Sequence, residues 1–272
     1  MAFSPSNSTD SRRASHVGEQ TTHTHVISAL GYVGTGKSSL LNAIAGDYVF
    51  ETGTGSATTT AVKGEVRDWK TAPIPRNVHL IDTPGLSDSV YDRQAVQEMI
   101  RYFKTLQYGV SSFLLVFSID DIRLDAYTQN MLHLFQQLLG KGFWDFVVIV
   151  FTNVDQDRRD ELEDNIEAVL DPQEGFVSEI RRIYKLSPRT FVPSVVFTST
   201  QNARMSSYTQ KHIRELYYAV VQCETRNENK RFSCPWLRQI LSLQTDEQKT
   251  SFIGQSIRET WASMTSNVCQ MQ

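Results

Sequence analysis

The 272-residue chain has no uninterrupted apolar run near the roughly 20 residues that cross a bilayer, so no transmembrane span is expected. Cysteine is scarce. Cys223, Cys234 and Cys269 all lie late in the chain and without metal-ligand spacing. A disulfide scaffold is thereby excluded, and a reduced, cytoplasmic setting is expected. Positive charge is not in excess: 27 Lys and Arg stand against 30 Asp and Glu, a net charge of −3, so no nucleic-acid partner is expected. Residues 1–22 have few apolar groups to bury and much Ser, Thr and Asn. They are expected as a disordered leader, with no apolar core of the signal-peptide kind. His16, His23 and His25 fit no standard metal spacing.

From residue 23 onward, short apolar strands alternate with amphipathic helices. That pattern predicts an α/β fold of three layers with a mostly parallel sheet. His25–Leu30, Ser112–Phe117 and Phe146–Phe151 are continuous apolar runs, as central strands buried on both faces require. Val62–Asp68, Asn77–Ile81 and Ser194–Phe197 read as further strands. Helices are predicted over Ser38–Ala45, Gln94–Leu106, Thr128–Leu139 and Tyr208–Val221 from apolar residues spaced three and four apart. The expected domain covers 23–223. A solvated linker from Glu224 to Arg231 then opens a helical C-terminal extension, 224–272. In that extension Phe252, Ile253, Ile257 and Trp261 make a helical face expected to pack back on the domain, with peripheral membrane contact as the other reading.

Gly31-Tyr-Val-Gly-Thr-Gly-Lys37-Ser38 fits the phosphate-loop pattern GxxxxGK[ST], between an apolar strand and a helix. Gly34, Thr35, Gly36, Lys37, Ser38 and Ser39 are therefore candidate nucleotide-binding residues. Successive N–H groups and the positive helix end would wrap the phosphates, Lys37 would reach the terminal ones, and Ser38 would ligate Mg²⁺. Asp82-Thr-Pro-Gly85 follows an apolar strand. Asp82 is a candidate Mg²⁺ residue, and Gly85 a candidate donor to the γ-phosphate. Between the two motifs, Glu51–Ala61 is polar and suited to a switch. Thr58, Thr59 and Thr60 all qualify to give the metal a second hydroxyl, with Thr58 taken as the candidate. Thr152-Asn153-Val-Asp155 ends the fifth strand. Its carboxylate can accept from the two adjacent donors of guanine, which adenine lacks. Asn202 lies in the loop after the last strand, where a second base contact is expected.

In this order the motifs resemble the guanine-nucleotide domains of the immune-associated GTPases, the plant avirulence-induced and vertebrate GIMAP proteins. Chloroplast Toc import receptors are relatives, similar over Phe113–Thr128. The resemblance covers about His25 to Val221. It implies GTP and GDP binding with Mg²⁺, slow hydrolysis, and a homodimer formed across the nucleotide face. Leu86 stands where many small GTPases have a water-orienting glutamine. Arg123 matches an arginine of the family's segment and would act catalytically in trans, with Lys37. Thr128 stands where import receptors carry a second arginine. Two other readings stay open: a kinase or ATPase on a similar loop, and a catalytically silent GTP/GDP-binding scaffold.

Overall fold

The computed structural model describes residues 24–53, 59, 61–85, 98, 102, 109–234, 242–245, 247, 248 and 251. The expected leader, Leu86, Thr58, Thr60, Cys269, the apolar tail face and all but two residues of the expected helix at 94–106 lie outside them.

Among the described residues six strands form one sheet: β1 His25–Leu30, β2 Lys63–Asp68, β3 Asn77–Asp82, β4 Ser112–Ser118, β5 Val147–Thr152 and β6 Ser194–Phe197. Their order is β2-β3-β1-β4-β5-β6. Only β2 runs antiparallel, pairing with β3 from Lys63 opposite Asp82 to Asp68 opposite Asn77. Helices cover both faces. They are α1 Lys37–Ala45, α2 Ala126–Leu139, α3 Glu163–Leu170, α4 Phe176–Tyr184 and α5 Ser207–Arg226.

Side chains alternate across a strand, so the continuous apolar runs feed two cores at once. Phe113, Leu115 and Phe117 of β4 pack with Met131 and Phe135 of α2 and with Ile180 of α4. Leu114 and Val116 face the other way, onto Leu40 and Ile44 of α1 and Leu216 and Val220 of α5. The parallel strands thus bring the ends of β1, β3, β4, β5 and β6 to one edge of the sheet, where the loops of interest lie. No helix among the described residues is long and apolar enough to cross a membrane.

Two sequence expectations are corrected. The stretch from Glu224 is not a solvated linker at its start, because α5 continues to Arg226. Glu224 is 5% exposed, and His25 Nδ1 lies 2.8 Å from each of its carboxylate oxygens. Burial of the pair keeps helical a segment whose composition reads as solvated. The short helices α3 and α4 were not expected. The first buries only Val169, too little for a periodic stripe, whereas Phe176, Ile180 and Tyr184 of the second recur at helical spacing, a signal that the sequence reading passed over.

Candidate functional site

The loop from Gly31 to Gly36 joins β1 to α1 and turns back over the sheet edge. Gly31 meets β4 so closely that a Cβ there would sit 2.4 Å from the Val116 carbonyl oxygen. Gly36, at φ 83°, is the N-cap of α1, and no side chain caps that end. The first-turn N–H groups of α1 are thus left to the loop and whatever it holds.

Lys37 starts α1 yet is only 6% exposed. Its Nζ donates to the Tyr32 carbonyl oxygen at 2.6 Å. Burial pushes the ammonium down to about 8, while the charge of Asp82 pulls the other way. The side chain lies under the loop as its buried cation.

The Ser38 and Thr59 hydroxyls meet on Asp82, donating to its Oδ2 at 2.7 Å and 3.0 Å. The two hydroxyl oxygens lie 3.4 Å apart. The other carboxylate oxygen, Oδ1, is buried with no hydrogen-bond partner. Burial holds the carboxyl above its usual range, against the hydroxyls and Lys37. Two hydroxyls and a carboxylate, one of whose oxygens is buried and orphaned, form a hard donor set of the type Mg²⁺ takes. Of the three candidate threonines, Thr58, Thr59 and Thr60, Thr59 is the described one, and it is on this cluster. Beyond it, the Gly85 backbone presses on the phosphate loop, where a Cβ would come within 2.6 Å of Val33 N.

At the other end of the loop Thr152 is fully buried. Its hydroxyl is 2.7 Å from the Thr35 carbonyl oxygen and 3.1 Å from that of Phe117. The threonine therefore fastens β5 to the phosphate loop rather than facing outward. Asn153, at φ 63°, turns its amide away to Ser118 Oγ at 2.9 Å. Asp155 is 8% exposed and lies between β5 and the loop after β6. Ser199 Oγ donates to its Oδ1 at 2.5 Å, and Gln201 Nε2 to its Oδ2 at 2.6 Å. Sequence reasoning missed both of these residues, since only their distance from Asp155 in space marks them. Asn202, at φ 47°, is exposed at the tip of this loop, and its carbonyl accepts from Met205 and Ser206 N–H.

Arg123 is exposed in the loop between β4 and α2, where it makes no hydrogen bond or ion pair among the described residues. The cap of α2 is Asp125, which accepts from Thr128 N at 2.8 Å. Ser39 sits half-buried in the first turn of α1. One edge of the sheet thus carries a glycine-rich loop with a buried cation, a hydroxyl and carboxylate cluster on one side, and a buried carboxylate on the other.

A model of the AIG1 family matches residues 26–251. Immune-associated nucleotide-binding protein 13 of Arabidopsis thaliana is 28% identical over 205 residues, 75% of this chain and 56% of that protein. Immune-associated nucleotide-binding protein 9 of the same plant is 30% identical over 142 residues, 52% of this chain and 39% of that protein. The chain spans about half the length of these curated relatives. Among solved structures, Arabidopsis Toc33 in complex with GDP and Mg²⁺ superposes with TM-score 0.61 at 20% identity, covering 78% of this chain and 88% of that one. A structure from work on the chloroplast translocon components atToc33 and psToc159, for whose GTPase activity dimerization is important, gives 0.56 at 21%, covering 78% and 86%. These likenesses establish the P-loop GTPase-like α/β fold.

Proposed function

The chain belongs to the AIG1 family, and on that premise we propose that it binds guanine nucleotide with Mg²⁺, hydrolyses GTP slowly to GDP and phosphate, and switches by pairing with a second copy across the nucleotide face. The observation that carries this reading is the meeting of Ser38 and Thr59 on Asp82, beside buried Lys37. Ser38, Thr59 and Asp82 would hold Mg²⁺, which when bound neutralises phosphate charge. The N–H groups of Gly34 to Ser39 would wrap the phosphates, with the positive end of α1 behind them. Lys37 would exchange the Tyr32 carbonyl for phosphate oxygen, recovering in charge what its burial costs. Gly85 would give an N–H to the γ-phosphate, so that the loop after β3 senses whether that phosphate is present.

At the base end, Asp155 would accept from the ring N–H and exocyclic amine of guanine. A carboxylate has about four acceptor positions, so Ser199 can keep its bond while the base binds. Asn153 and Asn202 flank this carboxylate from the two loops. Arg123, exposed and without a bond of its own among the described residues, would reach the partner's phosphates and offset transition-state charge. The relatives named for nucleotide binding, and the translocon proteins for whose GTPase activity dimerization is important, support the same reading.

Competition calorimetry with GTP, ATP and xanthosine triphosphate tests it. The native chain should prefer GTP to ATP. Asp155→Asn should lower guanine affinity about tenfold or more, the worth of a charged hydrogen bond, and erode the preference over xanthine. Equal binding of ATP and GTP would overturn the guanine reading. A single-turnover assay that releases no phosphate even at high protein concentration would replace the hydrolase with a silent scaffold.

A further inference from the structure

A second cleft lies away from the phosphate loop, along the outer edge of the sheet. Among the described residues β6 pairs with β5 alone, so Ser194–Phe197 is an edge strand. Its free side lies in a cleft of about 550 Å³ that runs the whole length of the strand. One wall is α5, with Tyr208, His212 and Tyr218; the other is the segment from Val154 to Ile166. That volume is within the roughly 300–1,000 Å³ of ligand clefts.

The backbone shows which groups face the cleft. Thr198, just after β6, turns both its N–H and its carbonyl to the β5 side, bonding Phe151 O and Val154 N. Backbone direction alternates along a strand. Val196 therefore also faces β5, while Val195 and Phe197 present their N–H and carbonyl groups to the cleft. Exposed strand edges of this type are templates for another strand.

The side chains of the walls ask for a polar occupant. His212 is 8% exposed, and its Nδ1 is buried with no partner. The Tyr208 hydroxyl is likewise buried and unpartnered, with its ring packed edge-on against His212 at 4.2 Å between centroids. Buried polar groups left unbonded destabilise a fold unless an occupant satisfies them. Two cations line the cleft, Arg159 and Lys211, with Glu215 the one anion of the lining. Among the described residues Arg159 makes no ion pair or hydrogen bond, and Lys211 is held only loosely, 3.9 Å from exposed Glu215.

We infer that this cleft binds a short extended peptide carrying an acidic side chain, which adds as a strand to β6 and sets its carboxylate against Arg159 and Lys211. Main-chain bonds to Val195 and Phe197 give affinity, and the His212 and Tyr208 atoms with the two cations give selectivity. A second copy's sheet edge fits less well, because the β6 edge is recessed between two helical walls. A small anion alone would leave the strand edge unused. The inference does not depend on which nucleotide the phosphate loop takes.

Fluorescence anisotropy on the full chain tests it. The probe is a labelled eight-residue peptide of alternating Thr and Val with one central Glu. It should bind saturably, and the same peptide with Lys at the centre should bind about tenfold more weakly. Arg159→Glu combined with Lys211→Glu should reverse that order. A central Pro in the probe, which deletes a main-chain donor, should abolish binding to the native chain. Val195→Pro, at an N–H that faces the cleft and not the ladder, should do the same from the protein side. No saturable binding up to millimolar peptide overturns the proposal. So does binding indifferent to Pro in the probe, or displacement by inorganic phosphate or free glutamate as effective as by unlabelled peptide, which would make the cleft an anion site.

Discussion

Lys37 is the residue on which opposing forces are most plainly balanced. A lysine so deeply buried would rather be neutral, and the charge of Asp82 pulls the other way, with the Tyr32 carbonyl accepting from the ammonium. Its folded value near 8 lies below the ordinary 10.5, so between these values the unfolded chain binds more protons than the folded one. Stability of the nucleotide-free protein should therefore rise as pH climbs from about 8 to about 10.5, as the cost of burying the charge is relieved. Lys37→Met should remove that slope, raise stability below pH 8, and abolish tight nucleotide binding. Denaturant midpoints against pH, native minus variant, isolate the contribution of this one group. Thr152 is the second residue to probe. Thr152→Val keeps the shape but leaves the Thr35 carbonyl without its buried hydroxyl. It should cost about 1–2 kcal/mol in stability and weaken nucleotide binding further, because the phosphate loop loses its tie to β5. Unchanged nucleotide affinity by calorimetry would mean that the tie does not shape the loop.

At the scale of elements, α5 does two jobs. Its start follows the base-side loop, with Ser206 capping through Thr209 N. Its last turns reach the far end of β1, where Glu224 meets His25 and the pair lies among Trp69 and Tyr217 rings. Removing one member of a buried pair strands the other. Glu224→Ala should destabilise the fold by about 1–3 kcal/mol and fray the helix from Cys223 onward. Urea denaturation and amide exchange of α5 would register both, and a loss under about 1 kcal/mol would show that the end of the helix is held by packing alone. The cap of α2 is a milder case. Asp125→Ala should cost about 1 kcal/mol in the same measurement, the usual worth of an N-cap.

For the whole molecule, the open question is whether the nucleotide face is complete in one copy. Arg123 stands exposed between β4 and α2 and, among the described residues, makes no hydrogen bond or ion pair, so it is the residue to test for an action on a second molecule. Hydrolysis per molecule should then rise with protein concentration, and Arg123→Ala should flatten that rise while leaving GTP affinity nearly unchanged. Phosphate release measured across a wide concentration range decides the matter; a rate constant that stays flat for the native chain sinks the paired mechanism. Sedimentation in GDP and in a non-hydrolysable GTP analogue gives the same answer without chemistry.

Much of this arrangement is legible in the residues alone because it is local. Gly31 to Ser38, between an apolar strand and a helix, calls for a phosphate loop whatever surrounds it, since only glycine permits that backbone path. Runs such as Phe113–Phe117 call for strands buried on both faces by their hydrophobicity. Pairings between distant segments are another matter. Gln201 on Asp155, the Thr152 hydroxyl on the phosphate loop and Glu224 on His25 join residues 46, 117 and 199 positions apart. Nothing in periodicity or spacing marks them. The same holds for the β6 cleft, whose walls come from separate helical segments and whose floor is the strand that happens to stand last in the sheet. The sequence by itself determined the elements and the phosphate loop, through short-range sterics and hydrophobic period. Only the tertiary structure decided which buried polar groups meet, because burial makes each of them require a partner and the fold alone chooses which one is within reach.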